Sequence, residues 1–317
     1  MSTHIQWTEE TWNPVVGCSK VSEGCRNCYA IRGAHRLAGN PNPKIRSVYE
    51  GLTVIQNGAP NWTGTVRLIP ERLEEPLRRR KPTTYFVNSM SDLFHESLPD
   101  EAIDQVFAVM ALCPQHTFQV LTKRAKRMRG WFAKPKQPGW VWRQGYVQAA
   151  AKRLDPTYVM QDRDWPLPHV WLGVSVEDQA TADERIPVLL QTPAAVRFVS
   201  YEPALGPVEF RPWLRGRGLF PPGKDTLPAL DWLIIGGESG PGARPFDIAW
   251  VRSVIAQCRA AGVAVFCKQL GADPREEFHR EGRYNCLHLH LKDPKGGDPS
   301  EWPEDLRVRE MPQVPGV

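Results

Sequence analysis

Short apolar runs that each end in a polar cluster recur along this chain, and they restrict its fold more than any other feature. Residues 83–87 (Thr-Thr-Tyr-Phe-Val) run into Asn88-Ser-Met-Ser-Asp92, residues 117–121 into Thr122-Lys-Arg124, and residues 170–174 into Ser175-Val-Glu177. Residues 196–199 then lead to Ser200-Tyr-Glu-Pro203, residues 232–235 to Gly236-Gly-Glu-Ser-Gly240, and residues 263–266 to Cys267-Lys-Gln269. β-Branched and aromatic runs of this length read as buried strands. Between them lie helical patterns. Pro99-Asp-Glu101 opens one with Ile103, Val106, Phe107, Met110 and Ala111 on one face, residues 180–190 carry another, and residues 248–261 a third that Gly262 ends. Alternation of this kind is the pattern of parallel βα units, so the fold class is α/β. In a barrel of such units the C-terminal strand ends converge, and Asn88, Ser91, Lys123, Ser175, Glu177, Glu202, Glu238 and Lys268 are expected around one mouth. Thr11-Trp-Asn-Pro-Val-Val16, read as a first strand, adds the loop that follows it.

That loop, Gly17-Cys-Ser-Lys-Val-Ser-Glu-Gly-Cys-Arg-Asn-Cys-Tyr29, holds three of the seven cysteines. Thiolates so placed can bind a metal or an iron–sulfur cluster and leave one coordination position open. Cys113, Cys258, Cys267 and Cys286 are scattered, which fits a reducing compartment better than a disulfide framework. Spacing alone leaves two other readings open: a Cys25–Cys28 disulfide, which gives Cys18 no role, and a structural zinc site with His35 as fourth ligand. With 41% hydrophobic and 24% charged residues the composition is that of a soluble globular protein. No apolar run approaches the ~20 residues a bilayer span needs, and the first residues lack a secretory pattern. The expected location is the cytoplasm, with no membrane partner.

The net charge of +5 conceals an asymmetry. Residues 123–153 contain Lys123, Arg124, Lys126, Arg127, Arg129, Lys134, Lys136, Arg143, Lys152 and Arg153 and no acidic residue, while the rest of the chain has 30 basic against 35 acidic. Trp131, Phe132, Trp140, Trp142 and Tyr146 are interleaved, with Trp165 just beyond, and Lys134-Pro-Lys-Gln-Pro-Gly139 breaks regular structure. Cations beside aromatic faces suit single-stranded or flipped nucleic acid. The alternative is a surface insertion whose tryptophans pack under their own loop. Arg78-Arg-Arg-Lys81 reads as a solvated helix end. Near the C-terminus Cys286, His288 and His290 alternate along one strand face, either as metal ligands or as an edge strand.

Trp7-Thr, Thr11-Trp-Asn-Pro14, Cys25-Arg-Asn-Cys-Tyr-Ala30, Phe86-Val-Asn-Ser-Met-Ser-Asp-Leu-Phe-His-Glu96, Leu121-Thr-Lys-Arg124, Trp171-Leu-Gly-Val-Ser-Val-Glu177, Ser200-Tyr-Glu-Pro203, Gly236-Gly-Glu-Ser-Gly-Pro241 and Lys268-Gln269 together carry a resemblance. They are similar to a three-cysteine family of phages and bacteria, of unknown function, within the radical S-adenosylmethionine superfamily. The resemblance implies a partial (βα) TIM-type barrel of about six to seven parallel strands over residues 1–270. Within it lies an insertion at about 125–168, and residues 271–317 form an extension packing on the barrel. It implies a [4Fe–4S] cluster on Cys18, Cys25 and Cys28, with the fourth iron chelated by S-adenosylmethionine, whose reductive cleavage gives a 5′-deoxyadenosyl radical.

Cofactor contacts are carried over to Tyr29, Asn88, Ser89, Ser91, Asp92, Lys123, Ser175, Glu177, Gly236 and Gly237. Asn88 to Asp92 correspond to the segment that binds the methionine amino group, Ser175 and Glu177 suit the ribose or methionyl part, and Gly236-Gly237 allow close approach of adenine or substrate. His95 and Glu96 adjoin that segment as supporting groups. Glu202, Glu238 and Lys268 are the candidate catalytic groups; they act in acid–base chemistry, bind substrate, or form an ion pair. Cys267 is either a hydrogen donor or, as we favour, a packing cysteine. Two departures stand out: six residues separate Cys18 from Cys25 where the superfamily has three, and Asn27 replaces the usual aromatic residue, a role that Tyr29 takes. The expected function is modification or repair of a nucleic-acid base, with electrons from a flavodoxin or ferredoxin. The alternative is a non-catalytic iron–sulfur or zinc protein that senses or binds nucleic acid with a partner protein.

Overall fold

The structure is a computed structural model that describes residues 5–133, 143–214, 228–280 and 283–313. Seven strands form its main sheet: β1 (Glu10–Trp12), β2 (Thr84–Val87), β3 (Thr117–Thr122), β4 (Val170–Val176), β5 (Val196–Tyr201), β6 (Trp232–Gly236) and β7 (Ala264–Gln269). They lie in chain order from β1 to β7, and β1–β2, β2–β3, β5–β6 and β6–β7 pair in parallel. Parallel strands in unbroken sequential order define a partial (βα) barrel; a doubly wound sheet would reverse its order at a switch point. The helices are α1 (Tyr29–Ala38), α2 (Asp100–Ala111), α3 (Ala125–Phe132), α4 (Arg143–Leu154), α5 (Gln179–Leu190) and α6 (Ile248–Ala261). Among the described residues no helix is long and apolar enough to cross a membrane. The chain divides into two compact units, Met1–Gly173 with Thr192–Ala195, and Val174–Gln191 with Val196–Val317.

In the first unit α2 buries Ile103, Val106, Phe107 and Met110, as its period demands. The expected first strand is interrupted. Glu10–Trp12 pairs with β2, but Val15–Val16 turns to pair antiparallel with Arg67–Leu68. Pro14 has no N–H to extend the ladder. Asn13 between them accepts from Ser89 Oγ (3.1 Å) and Met90 N (3.0 Å) instead. Residues 39–77, unread in sequence, supply a helix Pro43–Tyr49 and a hairpin Thr53–Gln56/Ala59–Trp62. With α1 they close a separate core of Val16, Ala30, Ile31, Ala34, Tyr49, Leu52, Trp62 and Ile69, and Cys18, Cys28 and Met90 pack against it.

In the second unit Asp178 and Thr181 form a reciprocal capping box at the start of α5, and Gly262 ends α6 with φ 65°. The residues expected to form a C-terminal extension lie within this unit. Pro274–Arg280 pairs with Phe246–Asp247 and with Arg283–His288. The tail then returns to β7, where Cys267 N donates to Val308 O at 2.8 Å. Cys267 itself is fully buried, and burial pushes its thiol up to about 12.

Candidate metal centre

The cysteine loop leaves the sheet at Gly17, which bridges to Ser91 and donates its N–H to Met90 O at 3.2 Å. Gly17 has φ 87°, and a Cβ there would stand 2.1 Å from the Thr65 carbonyl oxygen, so no other residue fits beside Cys18. Glu23–Cys25 is a single 3-10 turn, and α1 starts directly after Cys28. Ala30, Ile31 and Ala34 bury one face of α1 and fix the far end of the loop.

Opposite the loop, Asn88 adopts φ 62°, which lets its side chain reach back: Oδ1 accepts from Val15 N at 3.2 Å. Because Val15 offers a donor, the amide orientation is assigned, and Nδ2 is left buried without a hydrogen-bond partner. Ser89 donates to Asn13 and Ser91 to Val15 O (2.9 Å), so their hydroxyl hydrogens are committed. Asp92 is fully engaged. Its Oδ1 accepts from Thr122 Oγ1 (2.7 Å) and Phe94 N (3.0 Å), and its Oδ2 from Lys123 N (3.1 Å) and Arg124 Nη1 (3.0 Å). Of the segment expected to hold the cofactor, Asn88 therefore retains an unspent donor, while Asp92 serves the protein itself.

Arg124, counted in sequence among cations for a polynucleotide, is buried at the centre of this arrangement. Besides Asp92 it donates to Glu96 (2.7 Å), Ser19 Oγ (2.8 Å), Ser19 O (3.3 Å) and the Cys18 sulfur (3.7 Å). Ser19 Oγ also meets His95 Nε2 at 2.9 Å, a pairing that suggests a nucleophile and its base. The tautomer argues against that role. Ser97 N donates to His95 Nδ1 at 3.1 Å, so the ring hydrogen sits on Nε2 and points at Ser19. Burial and Arg124 hold His95 below its ordinary pKa, which keeps the ring neutral.

All three loop cysteines are free thiols, so no Cys25–Cys28 disulfide exists. Burial pushes Cys18 up to about 12; Asp92 adds to the rise and Arg124 opposes it. Burial also raises Cys28, with Cys25 adding to the rise and Lys123 opposing it. Cys28 thus lies within the fields of both Cys18 and Cys25, with Arg124 near Cys18 and Lys123 near Cys28. Among the described residues no three His, Cys, Asp or Glu side chains are arranged to hold a metal ion. The Cys18 thiol donates to Ser19 O at 3.4 Å, and the Cys25 sulfur lies 3.9 Å from Ser22 Oγ. Metal ligation requires loss of the thiol protons. His35 pairs with Thr53 Oγ1 at 3.1 Å, and Tyr29 stands exposed with its hydroxyl on Ser89 O at 2.8 Å.

The remaining candidates lie in the second unit, and most are paired. Glu202 meets Lys268 Nζ at 2.5 Å, the ion pair among the alternatives read from sequence. Glu238 is held by Arg244 through Nη2 (2.7 Å), Nε (3.0 Å) and the backbone N (3.0 Å). Glu177 and Arg185 form a buried pair at 3.2 Å, and Arg185 also donates to Ser175 O at 2.7 Å. Gly237 is required by the chain itself: a Cβ would stand 2.5 Å from Leu270 O, so its openness serves backbone packing rather than a ligand. Gly236 has ordinary contacts with Gln269 and Glu202. Sequence could not reveal Arg124, Arg185 and Arg244 as the partners, because nothing in spacing links a strand-end carboxylate to one particular arginine.

Part of the basic segment packs inward. Trp131 is fully buried, donates to Asp104 (3.1 Å) and packs with Phe107, Phe132 and Trp165. Arg127 and Arg143 pair with Asp100, and Arg143 with Asp104 as well. These side chains build core rather than a ligand face. Lys126, Arg129, Lys152, Arg153 and Tyr146 are exposed on α3 and α4. Lys134, Lys136, Trp140, Trp142 and the turn at 134–139 lie outside the described residues. Cys286 and His288 stand on a hairpin strand, where His288 meets Asp273 at 3.5 Å; neither they nor His290 belong to a metal-holding group among the described residues.

Fold and site together define an α/β protein with a barrel-type parallel sheet and a three-thiol loop at the end of its first strand. The chain belongs to the family described as "Protein of unknown function (DUF5131)", whose model matches residues 2–290. No curated protein and no solved structure matches it.

Proposed function

We propose that the protein is a radical S-adenosylmethionine enzyme in which Cys18, Cys25 and Cys28 hold a [4Fe–4S] cluster. The observation that carries this reading is the loop: three free thiols, with Cys28 in electrostatic reach of both others, anchored beside a strand end of a sequentially ordered parallel sheet. The donor set suits iron–sulfur ligation, and Arg124 and Lys123 offset the charge that three thiolates would bring. Asn88 Nδ2, as a donor, suits the methionyl carboxylate of S-adenosylmethionine rather than its amino group. Such a cofactor pair supplies one-electron reductive cleavage of the sulfonium, with the electron delivered by a flavodoxin- or ferredoxin-type donor. The chain's own part is to hold Cys18 through Gly17 and Arg124, to present Asn88, and to keep Asp92 occupied with protein donors.

Anaerobically reconstituted protein given dithionite is expected to convert S-adenosylmethionine to 5′-deoxyadenosine and methionine, read by chromatography. Metal retained with no 5′-deoxyadenosine would instead favour a non-catalytic cluster or zinc protein. For the substrate we propose a nucleic-acid base, supported by the exposed cations of α3 and α4. Binding of single-stranded DNA and RNA should weaken with salt, with a log–log slope of about −0.7 per phosphate neutralised. A flat salt series would remove the polynucleotide from the proposal.

A further inference from the structure

We propose that Arg124 is a positioning residue for the cysteine-held cofactor: it holds Cys18 and Ser19 in place and donates to the Cys18 sulfur, raising the reduction potential of a cluster bound there. The inference rests on reading the three cysteines as cluster ligands.

The geometry is specific to a guanidinium. Nη1 bridges Asp92 and the Cys18 sulfur, Nη2 bridges the Ser19 carbonyl and hydroxyl, and Nε meets Glu96. A planar fork with five donors can make these contacts at once; an ammonium cannot. Asp92 fixes the fork from the β2 end, and Thr122 and the Lys123 N–H fix Asp92 from the β3 end, so the cation cannot drift from the sulfur. Reducing a cluster adds negative charge, and a cation with an N–H on a ligand sulfur stabilises that added charge. Removal of Arg124 would also leave the Asp92 carboxylate unopposed beside Cys18. Both effects lower the potential. Glu96 acts in the opposite sense, because it offsets the charge of Arg124 from a largely exposed position.

The test compares reconstituted wild-type, Arg124→Gln, Arg124→Lys and Glu96→Gln proteins by iron and sulfide content and by the midpoint potential from an EPR-monitored titration. Arg124→Gln should lower the reduced-to-oxidised ratio at fixed ambient potential about tenfold, which is 59 mV for a one-electron couple. Arg124→Lys should lower it less, and Glu96→Gln should raise it. Unchanged potentials at wild-type iron content would overturn the assignment. If Arg124→Gln fails to fold, the opposite signs in Arg124→Lys and Glu96→Gln carry the test.

Amide exchange separates this inference from the function it rests on. Wild-type protein that takes up zinc and no iron would end the functional reading. The holding role is then judged on the zinc protein: exchange at Ser19 and Lys20 at least about tenfold faster in Arg124→Lys supports it, and unchanged exchange overturns it.

Discussion

Cys25→Ala protein, reconstituted anaerobically with iron and sulfide, is expected to be colourless, to hold less than about a tenth of the wild-type iron and to release no 5′-deoxyadenosine. The fold should survive. Cys25 contributes its backbone to the 3-10 turn, with its N–H on Ser22 O at 3.0 Å and its carbonyl accepting from Cys28 N at 3.4 Å, and alanine keeps both. Loss of one buried sulfur should cost about 1 kcal/mol, a small part of the total stability. Unchanged circular dichroism with lost iron would separate ligation from folding. Wild-type iron in the variant would show that Cys25 is not a ligand, and retained zinc with no iron in the parent protein would point to a structural metal.

Asp92→Ala should be the most destabilising single change at the site, about 3–5 kcal/mol, with unfolding about 5–8 °C lower by calorimetry. The carboxylate accepts four hydrogen bonds, and its loss strands Thr122, the Lys123 N–H and a guanidinium whose side chain is 4% exposed. Glu96 touches the same guanidinium but its side chain is 63% exposed, so Glu96→Gln should change stability by no more than about 1 kcal/mol. Equal losses in the two variants would mean that water, not Asp92, satisfies Arg124.

The contrast between these two carboxylates shows what was legible in the sequence. Strand ends could be read because burial on both faces demands apolar runs and the turn beyond demands polar ones; the Asn88 to Asp92 run is one such place. Helices α2, α5 and α6 declared themselves through period, α2 also through its Pro99-Asp-Glu101 opening and α6 through Gly262 as a stop, whereas the Asp178 cap of α5 was seen only in the structure. Asp92 and Glu96 look alike in sequence, and only the fold makes one a hub and leaves the other in water. Arg124 was misread for the same reason: charge counts in a segment carry no information about partners from elsewhere in the chain. The core over α1 was missed because residues 39–77 form short elements whose apolar residues, such as Tyr49, Leu52 and Trp62, have no clear period and gain their role by meeting Ile31 and Ala34.

Gly17 at one end of the cysteine loop is held against Thr65 and Met90, and α1 at the other packs on the core of Val16 and Trp62, which Met90 also joins. Lys20 and Val21, between them, are exposed. The loop is therefore a span between two fixed posts, and a residue gained or lost near Lys20 would alter the slack without moving either post. The interval between Cys18 and Cys25 is consequently a poor fingerprint for chains built this way. In this chain a glycine directly before the first cysteine, the Asn-Ser-Met-Ser-Asp run at the neighbouring strand end and the Thr-Lys-Arg at the next are what fix the surroundings of that span.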